Sequence, residues 1–213
     1  MAKTLEATYD PSEASKWMPI EEGEYPAHIT SLSSKEITTR AGEAIVVNME
    51  YKVAEEVSST TQKVWKMEGY KYQKDTDGNK IPVTNGDGEQ KVANCSHLKD
   101  KIFQDNGYFI FTESTSSSKN RRYFELLDNL GVDCGEVKAD GKKVKKLVLL
   151  EDDDVVGKPV LITVKRHEFV TSETKHLSPD QQERRSTFKV NNITPWKGGQ
   201  QLAAAELESD VPF

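Results

Sequence analysis

The stretch EAIVVNMEYKV, residues 43–53, decides the fold class of this 213-residue chain. Apolar and polar side chains alternate along it, and a period of two residues is the signature of a half-buried β-strand. The apolar face carries Ile45, Val47, Met49, Tyr51 and Val53. The sequence therefore predicts a strand whose odd-numbered side chains enter a core.

Further strand patterns lie on both sides of this stretch. They cover residues 24–37, 61–72, 107–114, 144–150, 157–170 and 184–196. On the strand at 157–170, alternation places Lys165, His167 and Phe169 on one face and Val160, Ile162 and Val164 on the other. We expect the first face to be either a binding groove or ordinary exterior.

One segment, residues 118–131, has helical spacing instead. Its apolar stripe consists of Tyr123, Leu126, Leu127 and Leu130. Ser118 is expected to cap this helix and Gly131 to end it. Tyr123 and Phe124 are therefore expected in the core, whereas Trp65, Phe109 and Phe111 fit core and surface equally well.

The order of these elements is several strands, one helix and more strands, which predicts a mainly β protein. An oligonucleotide-binding-type (OB-fold-like) antiparallel β-barrel has five strands and commonly a helix between the third and fourth, where the segment at 118–131 falls. Residues 73–100 contain the turn signals DGNK and NGDG and predict a long hairpin or loop insertion. We expect a domain over 1–196 and a disordered acidic tail over 197–213.

Composition limits the cellular setting. The chain carries a net charge of -6, and its start, MAKTLEATYD, has no apolar signal region. The two cysteines, Cys95 and Cys134, are too few for a disulfide framework and are expected to be free thiols. These features predict a cytoplasmic protein without a membrane span.

Catalytic, cofactor and metal signatures are missing from the sequence, so we expect no enzyme, no cofactor and no metal. A calcium loop at 75–86 is rejected because Lys80 replaces the required glycine and Gly86 the required glutamate. Cys95, His97 and Cys134 are too few ligands for structural zinc. The acidic run at 151–154 is interpreted as a solvated turn, with magnesium-dependent nuclease chemistry as the weaker alternative.

Aromatic residues interleaved with cations are the remaining pattern. It favours binding to single-stranded nucleic acid, because cations follow the phosphates while flat rings stack on exposed bases. Core aromatics on alternating strands would give a similar pattern, so this alternative stays open. The candidate DNA-binding residues are Lys63, Trp65, Lys66, Tyr70, Lys71, Tyr72, Arg121, Arg122, Lys165, His167, Phe169 and Lys189.

The chain end carries a resemblance. Acidic residues followed by Asp210-Val211-Pro212-Phe213 resemble the C-terminal tip of bacterial single-stranded DNA-binding proteins, with Val211 in place of an isoleucine. The stretches at 9–29, 126–132 (LLDNLGV) and 154–169 are similar to a family of bacteriophage single-stranded DNA-binding proteins with an OB-fold.

This resemblance implies a protein that coats and protects single-stranded DNA during phage DNA replication, recombination and repair in the host cytoplasm. It also implies that the tip recruits replication and recombination proteins through Glu206, Glu208, Asp210, Val211, Pro212 and Phe213. A barrel of this size is compatible with a monomer or a homodimer. The alternative function is a protein-binding or virion structural module on a similar barrel.

Overall fold

The computed structural model describes residues 18–68, 71–112, 118–139, 142–203 and 207. The strands in this part are β1 Gly23–Thr39, β2 Gly42–Val53, β3 Thr61–Lys63, β4 Met67–Glu68, β5 Lys71–Tyr72, β6 Val92–Asn94, β7 Ile102–Gln104, β8 Tyr108–Ile110, β9 Glu136–Ala139, β10 Lys142–Lys145, β11 Pro159–Val170 and β12 Arg184–Pro195. The helices are α1 Arg121–Asn129 and α2 Asp152–Val155, with 3-10 turns at Glu55–Ser59 and Ser96–Leu98. Among the described residues, no helix is long and apolar enough to cross a membrane.

The main sheet has the strand order β12-β11-β1-β2-β7, and β8 also pairs with β2. All of these strand pairs are antiparallel. A single parallel bridge between Asp105, just after β7, and Val190 of β12 connects the two ends of this order. The mainly β class and its antiparallel pairing are thus confirmed, whereas an OB-type barrel stays a prediction.

The core lies between the inward faces of these long strands. Along β2 the odd-numbered side chains from Val47 to Val53 are buried, as the alternation in the sequence predicts. On β11 the buried side chains are those of Val160, Ile162 and Val164. Each such aliphatic side chain contributes about 1.5–3 kcal/mol when it leaves water, so this face holds the sheet together.

Asp105 is a buried carboxylate at the point where the two sheet ends meet. One of its oxygens accepts from the backbone N–H of Gly107 at 2.8 Å, and the other accepts from Met49 N and from the Tyr51 hydroxyl, both at 3.1 Å. Burial raises its pKa, although these three hydrogen bonds oppose that shift. The side chain therefore ties β2 to the turn between β7 and β8.

Helix α1 is shorter than the sequence predicts, and its start is held differently. Asn120, not Ser118, precedes its first residue, and the Asn120 side chain bonds the backbone of Phe111 in both directions, at 2.8 and 3.1 Å. Gly131 ends the helix with a φ of 67°, a left-handed conformation that glycine adopts readily. Tyr123, Leu126, Leu127 and Leu130 are all buried, so the apolar stripe is confirmed.

The connection between β2 and β7, residues 54–101, is built from short strands rather than one long one. The single strand predicted over 61–72 is wrong, because β3 pairs with β6 and β4 pairs with β5. Two matching turns lie ten residues apart: Asp75 Oδ1 accepts from residues 77 and 79, and Asn85 Oδ1 accepts from residues 87 and 89. Asp75 and Asn85 thus accept hydrogen bonds from backbone N–H groups of their own turns, as the turn signals predict.

Two further sequence predictions are corrected. The strand predicted over 144–150 ends at Lys145. Residues 147–150 continue as irregular chain, and Leu150 is buried. The acidic run forms the one-turn helix α2 rather than a turn, with the Asp154 carboxylate accepting from the backbone N–H of Glu151 at 2.9 Å. Acidic side chains suit the first turn of a helix, where free N–H groups give a positive end.

Residues 197–203 lie against the sheet, although the sequence assigns them to the flexible tail. His28 Nε2 is 3.0 Å from the carbonyl oxygen of Gln200, and its ring meets Trp196 edge-on at 5.7 Å. Leu202 N donates to Gly157 O at 3.0 Å. The tip predicted to bind partners, Glu206, Glu208 and Asp210 to Phe213, lies outside the described residues.

Candidate nucleic-acid interface

The hairpin of β11 and β12 has an inner half in the core and an outer half that projects beyond it. Up to Val164, which pairs with Val190, every second residue of β11 is buried. From Lys165 to Phe169 all five side chains are exposed on both faces. On β11 the outer half therefore buries none of these five side chains, whereas Phe188 on the paired strand β12 still packs against the core.

Backbone register places the predicted residues of this outer half on one strip. Lys165 pairs with Lys189, His167 with Thr187, and Phe169 with Arg185. Directly opposed residues of an antiparallel pair share a face, so cations stand at both ends of the strip. The His167 ring lies between these ends, and the Phe169 ring lies at the outer end beside Arg185. The Phe169 ring is 42% exposed.

The charges of this strip, which comprises Lys165, His167, Phe169, Arg185, Thr187 and Lys189, are only partly neutralised. Arg185 pairs with Glu183 at 2.8 Å, and Lys189 Nζ donates to the carbonyl oxygen of Asp105 at 3.3 Å. Lys165 and Lys189 are like charges placed directly opposite each other, an arrangement that destabilises a sheet unless an anion lies nearby. The strip is suited to a phosphate chain.

The two arginines of α1 have different environments. Arg122 Nη2 donates to Asn191 O of β12 at 3.0 Å, and its guanidinium lies 5.2 Å from the centre of the Tyr108 ring. Arg121 is exposed and forms an ion pair with Glu125 one turn later. Arg122 thus stands beside the base of the projecting hairpin, whereas Arg121 belongs to the helix surface.

The aromatic candidates of the β2–β7 connection are engaged within the protein. Lys80 Nζ lies 3.9 Å from the centre of the Tyr72 ring and 5.4 Å from that of Trp65. The same ammonium pairs with Glu21 at 2.7 Å, and the Tyr72 hydroxyl donates to Glu21 at 2.5 Å. Burial, followed by this hydrogen bond, raises the pKa of Tyr72 well above its usual value, which keeps the hydroxyl a donor.

These contacts attach the connection to the lead-in before β1. Lys63, Lys66 and Lys71 are exposed on the same connection, and Tyr70 lies outside the described residues. The structure therefore gathers Lys165, His167, Phe169 and Lys189 on one strip, and it places the candidates on β3–β5 and on α1 elsewhere.

Sequence reasoning missed three residues beside these groups. Arg185 completes the strip, Lys80 bridges the two rings, and Phe188 pairs with Arg166 on the hairpin's other face. A basic pair at 184–185 and the turn signal before Lys80 were visible signals. The contacts of Arg185, Lys80 and Phe188 depend on strand register and on which segments pack together in the fold, and the local sequence does not determine either.

Metal coordination and similarity to known proteins give no separate indication of activity. Within the ranges that the structure describes, no group of three or more His, Cys, Asp or Glu side chains is placed to hold a metal ion. Comparison of the chain with models of protein families, with curated proteins and with solved structures finds no match.

Proposed function

We propose that this protein is a non-enzymatic binder of single-stranded DNA built on an OB-type barrel. The strand order β12-β11-β1-β2-β7, the parallel bridge from Asp105 to Val190 and the position of α1 before β11 support this barrel. In such folds, loops that flank an open sheet face bind oligonucleotides.

The observation that carries the proposal is the strip on the outer half of the β11–β12 hairpin. Its cations can follow a phosphate chain, and the exposed Phe169 ring can stack on an unpaired base. Base stacking on an aromatic ring contributes about 1–3 kcal/mol and tolerates any base, which favours sequence-tolerant coating.

A role in phage replication, recombination and repair, with the tip recruiting partner proteins, is the biological setting we propose. The tip combines the apolar ring of Phe213 with the acidic Glu206, Glu208 and Asp210. An apolar pocket with basic residues around it on a partner would bind both kinds of group.

The proposal is tested by fluorescence anisotropy of labelled oligo-dT with the full chain. We expect binding that is much stronger than to a matched duplex and that falls with salt at a log–log slope of about -0.7 for each phosphate contacted. Phe169→Ala should weaken binding to oligo-dT by about 1–3 kcal/mol.

Phe109→Ala is a matched control, because Phe109 on β8 is 40% exposed, close to the 42% of Phe169. The residue opposite Phe109 is the apolar Val46, whereas the residue opposite Phe169 is Arg185; the cation nearest to Phe109 in register is Lys35, one strand further away on β1. Equal losses for the two variants would assign binding to another face, and equal affinity for duplex would contradict the proposed function.

A further inference from the structure

A cavity of about 670 Å³ lies against the other face of the same hairpin. Three chain segments line it: the lead-in before β1, the β2–β7 connection, and the paired residues Arg166 and Phe188. Its volume falls within the range of about 300–1,000 Å³ that is usual for small-molecule sites. The β2–β7 connection thus forms one wall of a site whose other wall is the projecting hairpin.

Both acidic groups of this cavity accept hydrogen bonds, but Glu21 is paired with a cation whereas Glu22 accepts from a backbone N–H and keeps its charge. Glu21 accepts from Tyr72 and Lys80, and Glu22 accepts from the backbone N–H of Arg166 at 2.9 Å. Lys101 lines the cavity and is exposed, and no ion pair involves it within the described part of the chain. The positive groups that an incoming anion would meet are therefore Lys101 and Arg166.

Arg166 is also positioned for this role. Its Nε donates to Ser186 Oγ at 2.9 Å across the hairpin, which fixes the guanidinium against the sheet. Phe188, its directly opposed neighbour, is half-buried and packs against the core, so its ring is held in place. A held ring beside a held cation is the combination that a base and its phosphate require.

We propose that this cavity takes one nucleotide of the bound strand, with the base on Phe188 and the phosphate at Lys101 and Arg166. The inference rests on the proposed function and adds a second subsite to it. A strand lying on the strip reaches this subsite by passing around the edge of the hairpin. The β2–β7 connection then takes part in DNA binding instead of serving only as an insertion.

The first test compares two lysines of the β2–β7 connection in the full chain. Lys101 lines the cavity, and Lys91 is an exposed lysine that does not. Lys101→Ala should weaken oligo-dT binding several-fold and reduce the salt slope by about 0.7, the share of one phosphate on a single strand. Lys91→Ala should leave both the affinity and the slope unchanged.

The second test locates the strand without a substitution in the core. Oligo-dT carrying one 5-iododeoxyuridine is bound to the wild-type chain, irradiated and mapped by mass spectrometry. We expect crosslinks to Phe188 or Tyr72 in addition to Phe169. As a supporting variant, Phe188→Leu keeps apolar volume but removes the ring and should weaken binding about 5- to 150-fold, the range of one lost base stack.

The outcomes separate the two proposals. If oligo-dT binds and depends on Phe169, but Lys101→Ala matches Lys91→Ala and no crosslink reaches Phe188 or Tyr72, the cavity subsite is wrong and the strip stands. If the wild-type chain binds no oligo-dT at low salt, the proposed function fails and the subsite fails with it.

Discussion

The inner and outer halves of the β11–β12 hairpin share the same two strands but differ in what their side chains contact. In the inner half, Ile162 pairs with Ile193 and both are fully buried. In the outer half, Phe169 pairs with Arg185 and both are exposed. Register continues from one half to the other across a single irregularity after Thr163.

This difference indicates a division of roles along one element. Buried aliphatic pairs supply stability, since each removes apolar area from water. Exposed cations and a ring contribute little to stability, because surface charges are well solvated. Substitutions in the inner half should therefore change the free energy of unfolding, and substitutions in the outer half should change the affinity for DNA.

The largest effect is expected from the inner half. Ile162→Ala should lower the free energy of unfolding by about 2–5 kcal/mol, the usual result of leaving a cavity in a packed core. Phe169→Ala should change it by less than about 0.5 kcal/mol, as surface substitutions usually do. Urea unfolding of both variants checks this, and similar losses would remove the distinction between the halves.

Asp105→Asn addresses the point where the outer half of the hairpin joins the main sheet. The amide presents an NH₂ group to at least one of three donors, from Met49, Tyr51 and Gly107, so a buried donor loses its acceptor. We expect a loss of about 1–3 kcal/mol in unfolding free energy. Asp87→Asn, in an exposed turn, is the control and should have almost no effect.

The same variant has a pH signature. Burial raises the pKa of Asp105 above its unfolded value, so the native state holds the proton more tightly. The resulting stabilisation is complete below the pKa that Asp105 has in the unfolded chain. It is lost as pH rises through the higher pKa that Asp105 has in the folded protein. The advantage of the wild type over Asp105→Asn should thus be largest in acid and decline toward neutral pH; an advantage that grows with pH would contradict this.

In the outer half, the double variant Lys165→Ala and Arg185→Ala should act on binding alone. Two lost phosphate contacts reduce the salt slope by about 1.4 in total, at about 0.7 for each contact on a single strand. Oligo-dT titrations at several salt concentrations measure the slope, and urea unfolding should show a change of less than about 0.5 kcal/mol in unfolding free energy, as surface substitutions usually do. An unchanged slope would mean that these cations do not contact the strand.

The smallest effect is expected from the tip. Deleting residues 210–213 should leave the unfolding free energy unchanged and keep or strengthen DNA binding, because the acidic side chain of Asp210 is removed. Urea unfolding and oligo-dT titration check both expectations. Loss of stability on deletion would show instead that the tip packs on its own domain.

The parts of the fold that could be predicted are those with local causes. Alternation identifies the buried faces of β2 and β11, and helical spacing identifies the buried stripe of α1. The start of α1 could not be predicted, because the Asn120 side chain is held by the backbone of Phe111, the residue just after β8. Similarly, residues 197–203 are held by His28 and Gly157, whose positions depend on the folded sheet.

The candidate site was predictable to the same extent. Lys165, His167 and Phe169 share a face because they alternate on one strand. Arg185 was missed because residues 171–183 separate the strands and because Asn191 is skipped in the pairing, and both features shift the register. The contact of Lys80 with Tyr72 follows from a hairpin fold within the β2–β7 connection, which no periodicity describes.

The most direct measurement is an oligo-dT titration of the wild-type chain beside the triple variant Lys165→Ala, Phe169→Ala and Arg185→Ala, with urea unfolding of both. The account predicts that the wild type binds oligo-dT in a salt-dependent way. The variant should lose at least about 30-fold in affinity, because one stacked base and two phosphate contacts are removed. The free energy of unfolding of the two proteins should be equal. Equal affinity of the two proteins for oligo-dT would contradict it.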